Sequence, residues 1–165
     1  MTLEAIRGIA VVDIGATNSK VVLYDRDLRE IDRRKTETVH RPGPPYAHLA
    51  PDEILAFVVR TINELDQTLP VDAISVSAFG ATIACVGEDG DLAVPVMDYL
   101  AEPPADVCER YAKIAPAFSE VFCNVAPVAL TIGKQIFWLE ESFPEAFSTV
   151  RSVMPWGQYI AFRLV

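Results

Sequence analysis

At 165 residues, 51% of them hydrophobic and 22% charged, the chain is long enough for one domain with a buried core and too apolar to be disordered. Its 14 Lys and Arg against 23 Asp and Glu leave a formal charge of −9. That balance argues against nucleic acid and an anionic membrane as partners, both of which need a basic face, but not against a small anion in a local pocket.

Two runs of β-formers open the chain, Ile9–Ile14 and Lys20–Asp25, joined by a knot of small polar residues in "VVDIGATNSKVVLYD". "LREIDRRKTETVH", Leu28 to His40, continues as a third strand with charge on both faces, which places it near a sheet edge. The proline-rich "RPGPPYAHLAP" is a loop. A helix is expected from Pro51, with Asp52 and Glu53 in its first turn and Ile54, Leu55, Val58, Val59, Ile62, Leu65 and Leu69 at helical spacing, ending at Pro70. Ala73–Ser77 and Thr82–Val86 read as buried strands, "GEDGD" as a hairpin turn rather than a calcium loop, and Leu92–Val96 as a returning strand. Helices are expected around Val107–Phe118 and Ile132–Phe143, then a short strand in "STVRSVMP" and a last helix opened by Pro155. The order implies an α/β fold with a mixed sheet whose first three strands form an antiparallel meander. No domain break is visible.

Cys85, Cys108 and Cys123 form no CxxC pair and are distant in sequence from His40 and His48, so buried free thiols are expected rather than a zinc site. Glu4 and Arg7 interrupt any leader-like start, and the longest uncharged run, Ala73 to Gly87, falls short of a membrane span. A soluble, cytoplasmic protein is expected. The apolar "MPWGQYIAFRLV" stops at Val165 without a polar tail, which suggests a chain that continues.

The knot asks for more than turn chemistry. A phosphate-binding hairpin needs small residues for close backbone approach, further donors, a cation, and a carboxylate that can hold Mg²⁺ through water. "DIGATNSK" offers Gly15 and Ala16 for approach, Thr17, Asn18 and Ser19 as donors, Lys20 as charge and Asp13 for the metal. There is neither a GxxxxGK[ST] loop nor a GxGxxG fingerprint, and the knot leads into a strand, so no helix N-terminus would cradle the anion. The bland alternative is a polar hairpin turn.

Here the sequence resembles the N-terminal part of the FGGY family of carbohydrate kinases, in the superfamily of actin, sugar kinases and heat-shock chaperones. "VVDIGATNSKVVLYD" resembles the first phosphate motif, "DAISVSAFGATIACVGEDGDLAVPVMDY" the next hallmark, and "FPEAFSTVRSVMPWGQYIAFRLV" the segment that follows. The resemblance implies a ribonuclease-H-like, actin-like ATPase domain of a two-lobed enzyme that passes the γ-phosphoryl of ATP, with Mg²⁺, to a hydroxyl of a ketose, deoxyketose or polyol. It assigns Asp13 to the metal and Gly15, Ala16, Thr17, Asn18, Ser19 and Lys20 to phosphate. Phe79, Gly80, Ala81 and Thr82, with Asp98 and Tyr99, fall to the sugar pocket. The family's general base, an Asp, and its adenosine segment are expected beyond Val165 in a second lobe, so these residues alone are not expected to turn over. Ala16 stands where Thr is usual, with Thr17 following. Trp138, Trp156 and Phe79 also suit a core, and His40 and His48 a solvated surface. Two other readings stay open: an actin-like ATP-binding scaffold, which leaves the second hallmark unexplained, and a sugar-binding degenerate half-domain. A homodimer is also left open.

Overall fold

β1 (Gly8–Ile14) alternates with period two, Gly8, Ala10, Val12 and Ile14 facing inward, while Asp13 lies on the opposite face. In the computed structural model, which describes residues 6–123 and 125–165, β1 pairs antiparallel with β2 (Asn18–Asp25), and β2 with β3 (Glu30–Glu37). The predicted meander is there, and β3 is its edge, exposed along most of its length. Helix α1 (Pro51–Asp66) starts on Pro51 with Asp52 and Glu53 in its first turn, where acids favour the helix dipole. It buries Ile54, Leu55, Phe57, Val58, Thr61 and Leu65, contacts β2, β3 and the next strand, and stops short of Pro70 at Gln67. That strand, β6 (Val71–Ala78), returns parallel to β1 and gives the order β3-β2-β1-β6.

The expectation of a fully buried strand fails for β6. It pairs only with β1 among the described residues, and Ile74 remains 44% exposed. A last helix, α6 (Trp156–Arg163), lies against it with Trp156, Tyr159 and Ile160 buried.

The chain divides into two compact units, where no break was read from the sequence. The first comprises residues 6–39, Ala50–Gly80 and Trp156–Val165, and the second His40–Leu49 and Ala81–Pro155. Each is assembled from separated segments, so the boundaries fall at short crossings with no linker composition to mark them.

In the second unit, β4 (His40–Arg41) pairs with β5 (His48–Leu49), and β7 (Ile83–Val86) with β8 (Ser152–Pro155). The helices are α2 (Ala105–Ile114), α3 (Phe118–Val121), α4 (Ile132–Ser142) and α5 (Pro144–Phe147). The predicted helix around Val107–Phe118 thus ends early, and α3 follows as a separate turn. Leu92–Val96 is not a strand: Pro95 has no N–H to give a ladder, and the segment attaches by single bonds, Ala93 N–H to Cys85 and Leu49 N–H to the Val96 carbonyl. Tyr46, Ile83, Cys85, Val94, Met97, Val107, Trp138 and Leu139 form the core, with Tyr46 against Trp138 and Phe143 at centroid distances of 5.6 and 5.5 Å. Burial pushes the Cys85 thiol up to about 11 and the Tyr46 phenol upward too. Among the described residues no cysteine is paired in a disulfide, and only Cys85 is buried. Among the described residues, which exclude Glu4, no helix is long and apolar enough to cross a membrane.

Arg7 fastens the starts of β1 and β6 through paired bonds to Asp72, Nε to Oδ2 at 3.0 Å and Nη2 to Oδ1 at 2.7 Å. Those bonds hold the Asp72 carboxyl down at about 2, against an ordinary 3.8. A depressed carboxylate stabilises the fold above its unfolded value and loses that contribution as pH falls through its folded one. We therefore expect Asp72→Asn to lower Tm at pH 7, with the gap to wild type closing between pH 3.8 and about 2 in thermal melts. A gap that stays constant across that window would contradict the linkage.

Candidate phosphate turn and sugar wall

The antiparallel register sets Asp13 directly opposite Lys20, so both project from the face that α1 leaves open. Lys20 Nζ meets Asp13 Oδ2 at 3.1 Å, and both side chains are somewhat more than two-fifths exposed. Such a pair contributes little to stability in water. Its significance is chemical, since it places a carboxylate and an ammonium side by side at the mouth of the bend.

The bend itself spans Gly15–Thr17 and is closed by the Gly15 N–H donating to the Asn18 carbonyl at 2.9 Å. A Cβ at position 15 would lie 2.9 Å from that carbonyl oxygen, so only glycine fits. Thr17 is exposed, and Ala16 and Asn18 are half-buried.

Ser19 differs from its predicted role. It alternates inward with Val21 and Leu23, is fully buried, and its hydroxyl lies 2.9 Å from Thr38 Oγ1. Thr38 donates its one hydroxyl proton to the Gly15 carbonyl at 2.7 Å, so Ser19 must be the donor in the first contact. The Thr38 N–H also donates to the Thr17 carbonyl at 2.9 Å. A chain of hydroxyls thus runs from Ser19 through Thr38 to the bend, and Thr38, which no motif flagged, clamps two of the bend's three carbonyls.

The candidate sugar residues divide between the units. Phe79, half-buried, donates its N–H to the Ile14 carbonyl at 3.3 Å, tying the end of β6 to the end of β1. Gly80 is exposed, and a Cβ there would meet nothing within 4 Å, so the fold does not itself demand glycine. In the second unit the Ala81 carbonyl accepts a bond of 2.6 Å from Gln135 Nε2, which also reaches the Ala129 carbonyl at 2.6 Å. Gln135 is another residue that sequence reasoning missed. Thr82 is fully buried with its hydroxyl toward the Met97 carbonyl at 3.4 Å, so its side chain packs inside the second unit.

Asp98 is 8% exposed and both its oxygens are engaged. Oδ2 accepts from His40 Nδ1 at 2.7 Å and Oδ1 from the Leu100 N–H at 2.8 Å. His40 therefore has a structural partner rather than a purely solvated role, and His48 likewise bonds the Tyr46 carbonyl through Nδ1 at 2.8 Å. Tyr99 beside Asp98 is half-buried. Among the described residues no group of three or more His, Cys, Asp or Glu gathers to hold a metal.

If the hydroxyl chain shapes the bend, Thr38→Val should lower unfolding free energy by roughly 1–3 kcal/mol, because Ser19 is then left buried without an acceptor. Thr38→Ser should recover most of it. Denaturant titration reads both, and a Thr38→Val variant within about 0.5 kcal/mol of wild type would remove the clamp.

Comparison with known proteins bears on the family and the fold. The description of the FGGY family of carbohydrate kinases, N-terminal domain, matches residues 9–165. L-fuculokinase of Salmonella typhi is 26% identical over 143 residues, covering 82% of this chain and 30% of that protein. A carbohydrate kinase from Novosphingobium aromaticivorans superposes with a TM-score of 0.87 at 30% identity, over 95% of this chain and 33% of that one. A xylulose kinase from Lactobacillus acidophilus gives 0.78 at 20% identity, over 96% and 33%, a likeness of fold. The expected actin-like ATPase fold is thus the observed one, and the chain spans about a third of the length of these relatives. A family match running from β1 through α6 to Val165 leads to one conclusion: this chain belongs to the FGGY family of carbohydrate kinases.

Proposed function

We propose that the chain supplies the phosphate turn and part of the sugar wall of a two-lobed kinase that moves the γ-phosphoryl group of ATP to a sugar or polyol hydroxyl. The observation that carries this reading is the pairing of half-exposed Asp13 and Lys20 at a glycine-dependent bend braced from inside by Thr38. Family membership and the fuculokinase relative support it, as do the kinases that share the fold.

Phosphoryl transfer asks a protein mainly for position and charge stabilisation. Lys20 would compensate charge on the transferred group, with Thr17 and Asn18 as further donors. Gly15 and Ala16 keep the backbone close enough for this. Ser19, turned inward, would act through Thr38 on the shape of the bend. Asp13 would hold Mg²⁺ through water, and the ion, when bound, supplies neutralisation of phosphate charge. The proton of the attacking hydroxyl passes to an Asp that this reading puts in the second lobe, outside these residues. Closure of the lobes would exclude water and so spare ATP from hydrolysis.

On the sugar side we assign Phe79, Gly80, Ala81, Thr82, Asp98 and Tyr99. Gly80 carries most weight there, because its lack of a side chain answers to no neighbour in the fold. A cytoplasmic setting belongs to the same proposal and agrees with cysteines that form no disulfide among the described residues.

In the intact protein, Asp13→Ala is expected to cut turnover by more than about a hundredfold while sugar affinity stays within twofold. A coupled ATP-consumption assay over a panel of ketoses, deoxyketoses and polyols, with calorimetry for sugar binding, reads both. Wild-type rates in that variant would end the metal assignment.

A further inference from the structure

We infer that the open face of β2 and β3 carries a second anion subsite, formed by Lys35 and Arg33 next to Lys20, for a phosphate group adjoining the one at the bend. This rests on the phosphate reading of the bend and extends it to residues outside the family motif.

Register puts the three cations together. Lys35 is the cross-strand partner of Lys20, and Arg33 that of Val22, so positions 20, 22, 33 and 35 share one face. Lys20, Arg33 and Lys35 line a single concavity of about 390 Å³. Like charges placed directly opposite each other destabilise a sheet. This chain has 14 basic residues against 23 acidic, yet sets two lysines across from each other and adds an arginine two residues on.

The neighbouring acids pair directly with two of the three cations. Asp13 answers Lys20 at 3.1 Å, and Glu30 answers Arg33 only at 3.5 Å, with the Arg33 side chain 69% exposed. Glu37, opposite Asn18, lies on the same face nearer the bend without an ion pair to Lys35. Lys35 has no ion-pair partner among the described residues. An ammonium so placed, one strand away from a phosphate-directed lysine, is met most readily by a further phosphate oxygen.

Two sources offer that chemistry, the polyphosphate tail of a nucleotide and a separate phosphate group. Calorimetry on the intact protein at low ionic strength, with tripolyphosphate and with orthophosphate as probes, separates them. Lys35→Gln should weaken tripolyphosphate about tenfold and Arg33→Gln several-fold, while Lys35→Arg stays within about twofold. Orthophosphate affinity unchanged in Lys35→Gln identifies the nucleotide tail; an equal loss identifies a separate phosphate. Relief of the repulsion should leave Lys35→Gln as stable as wild type or more so, which excludes unfolding as the cause. A Lys35→Gln variant that binds both probes like wild type overturns the subsite. If binding then falls only in Lys20→Gln, the bend reading survives. If it falls in neither variant, the bend reading fails with it.

Discussion

Asp13 and Lys20 face each other because β1 and β2 pair antiparallel about a three-residue bend, and all chemistry proposed for the open side of the sheet depends on that register. A slip of one residue would turn the carboxylate and the ammonium into the core and bring Val12 and Val21 to the surface. The inward face prevents it. Ala10, Val12, Ile14, Val21 and Leu23 are fully buried, together with Ile54, Val58 and Leu65 of α1. Burial at about 25 cal/mol per Å² of apolar surface makes the slipped register costly by many times the value of the exposed ion pair. The hydrophobic face thus fixes the position of a pair that contributes little stability itself.

The bend adds a second constraint. Two of its three carbonyls, those of Gly15 and Thr17, accept from Thr38, which fixes the loop against the residue that follows β3. An anion site built this way needs little reorganisation when a ligand arrives, which is what electrostatic stabilisation of a transferring phosphoryl group requires. The acidic chain also concentrates cations on this one sheet face, where Lys20, Lys35 and Arg33 meet. Net charge describes solubility and long-range steering, whereas local register decides where a small anion can be held.

Much of this was legible in the residues. Period-two alternation predicted β1 and β2, the i, i+3, i+4 spacing predicted α1, and Asp13 and Lys20 stood out as charges flanking small residues. Ser19 was legible too, but by a different signal: extending the inward row Leu23, Val21 by two residues reaches it, whereas reading the knot as a list of donors turned it outward. What sequence could not disclose were contacts distant along the chain. Thr38 reaches the bend across 23 residues, and His40 meets Asp98 across 58. The division into two units was hidden for the same reason, since each is stitched from separated pieces. Leu92–Val96 looked like a strand because apolar residues follow a turn, yet Pro95 and the lack of a continuous ladder partner leave it irregular.

The central claim is that residues 15–20 receive nucleotide phosphate. Backbone amide resonances of the intact protein, followed by NMR while a non-hydrolysable ATP analogue and Mg²⁺ are added, test it most directly. The account predicts the largest shifts at Ala16, Thr17, Asn18 and Lys20, with a smaller response at Thr38 through the hydroxyl chain. Resonances of the bend that stay in place while the analogue binds elsewhere would contradict it.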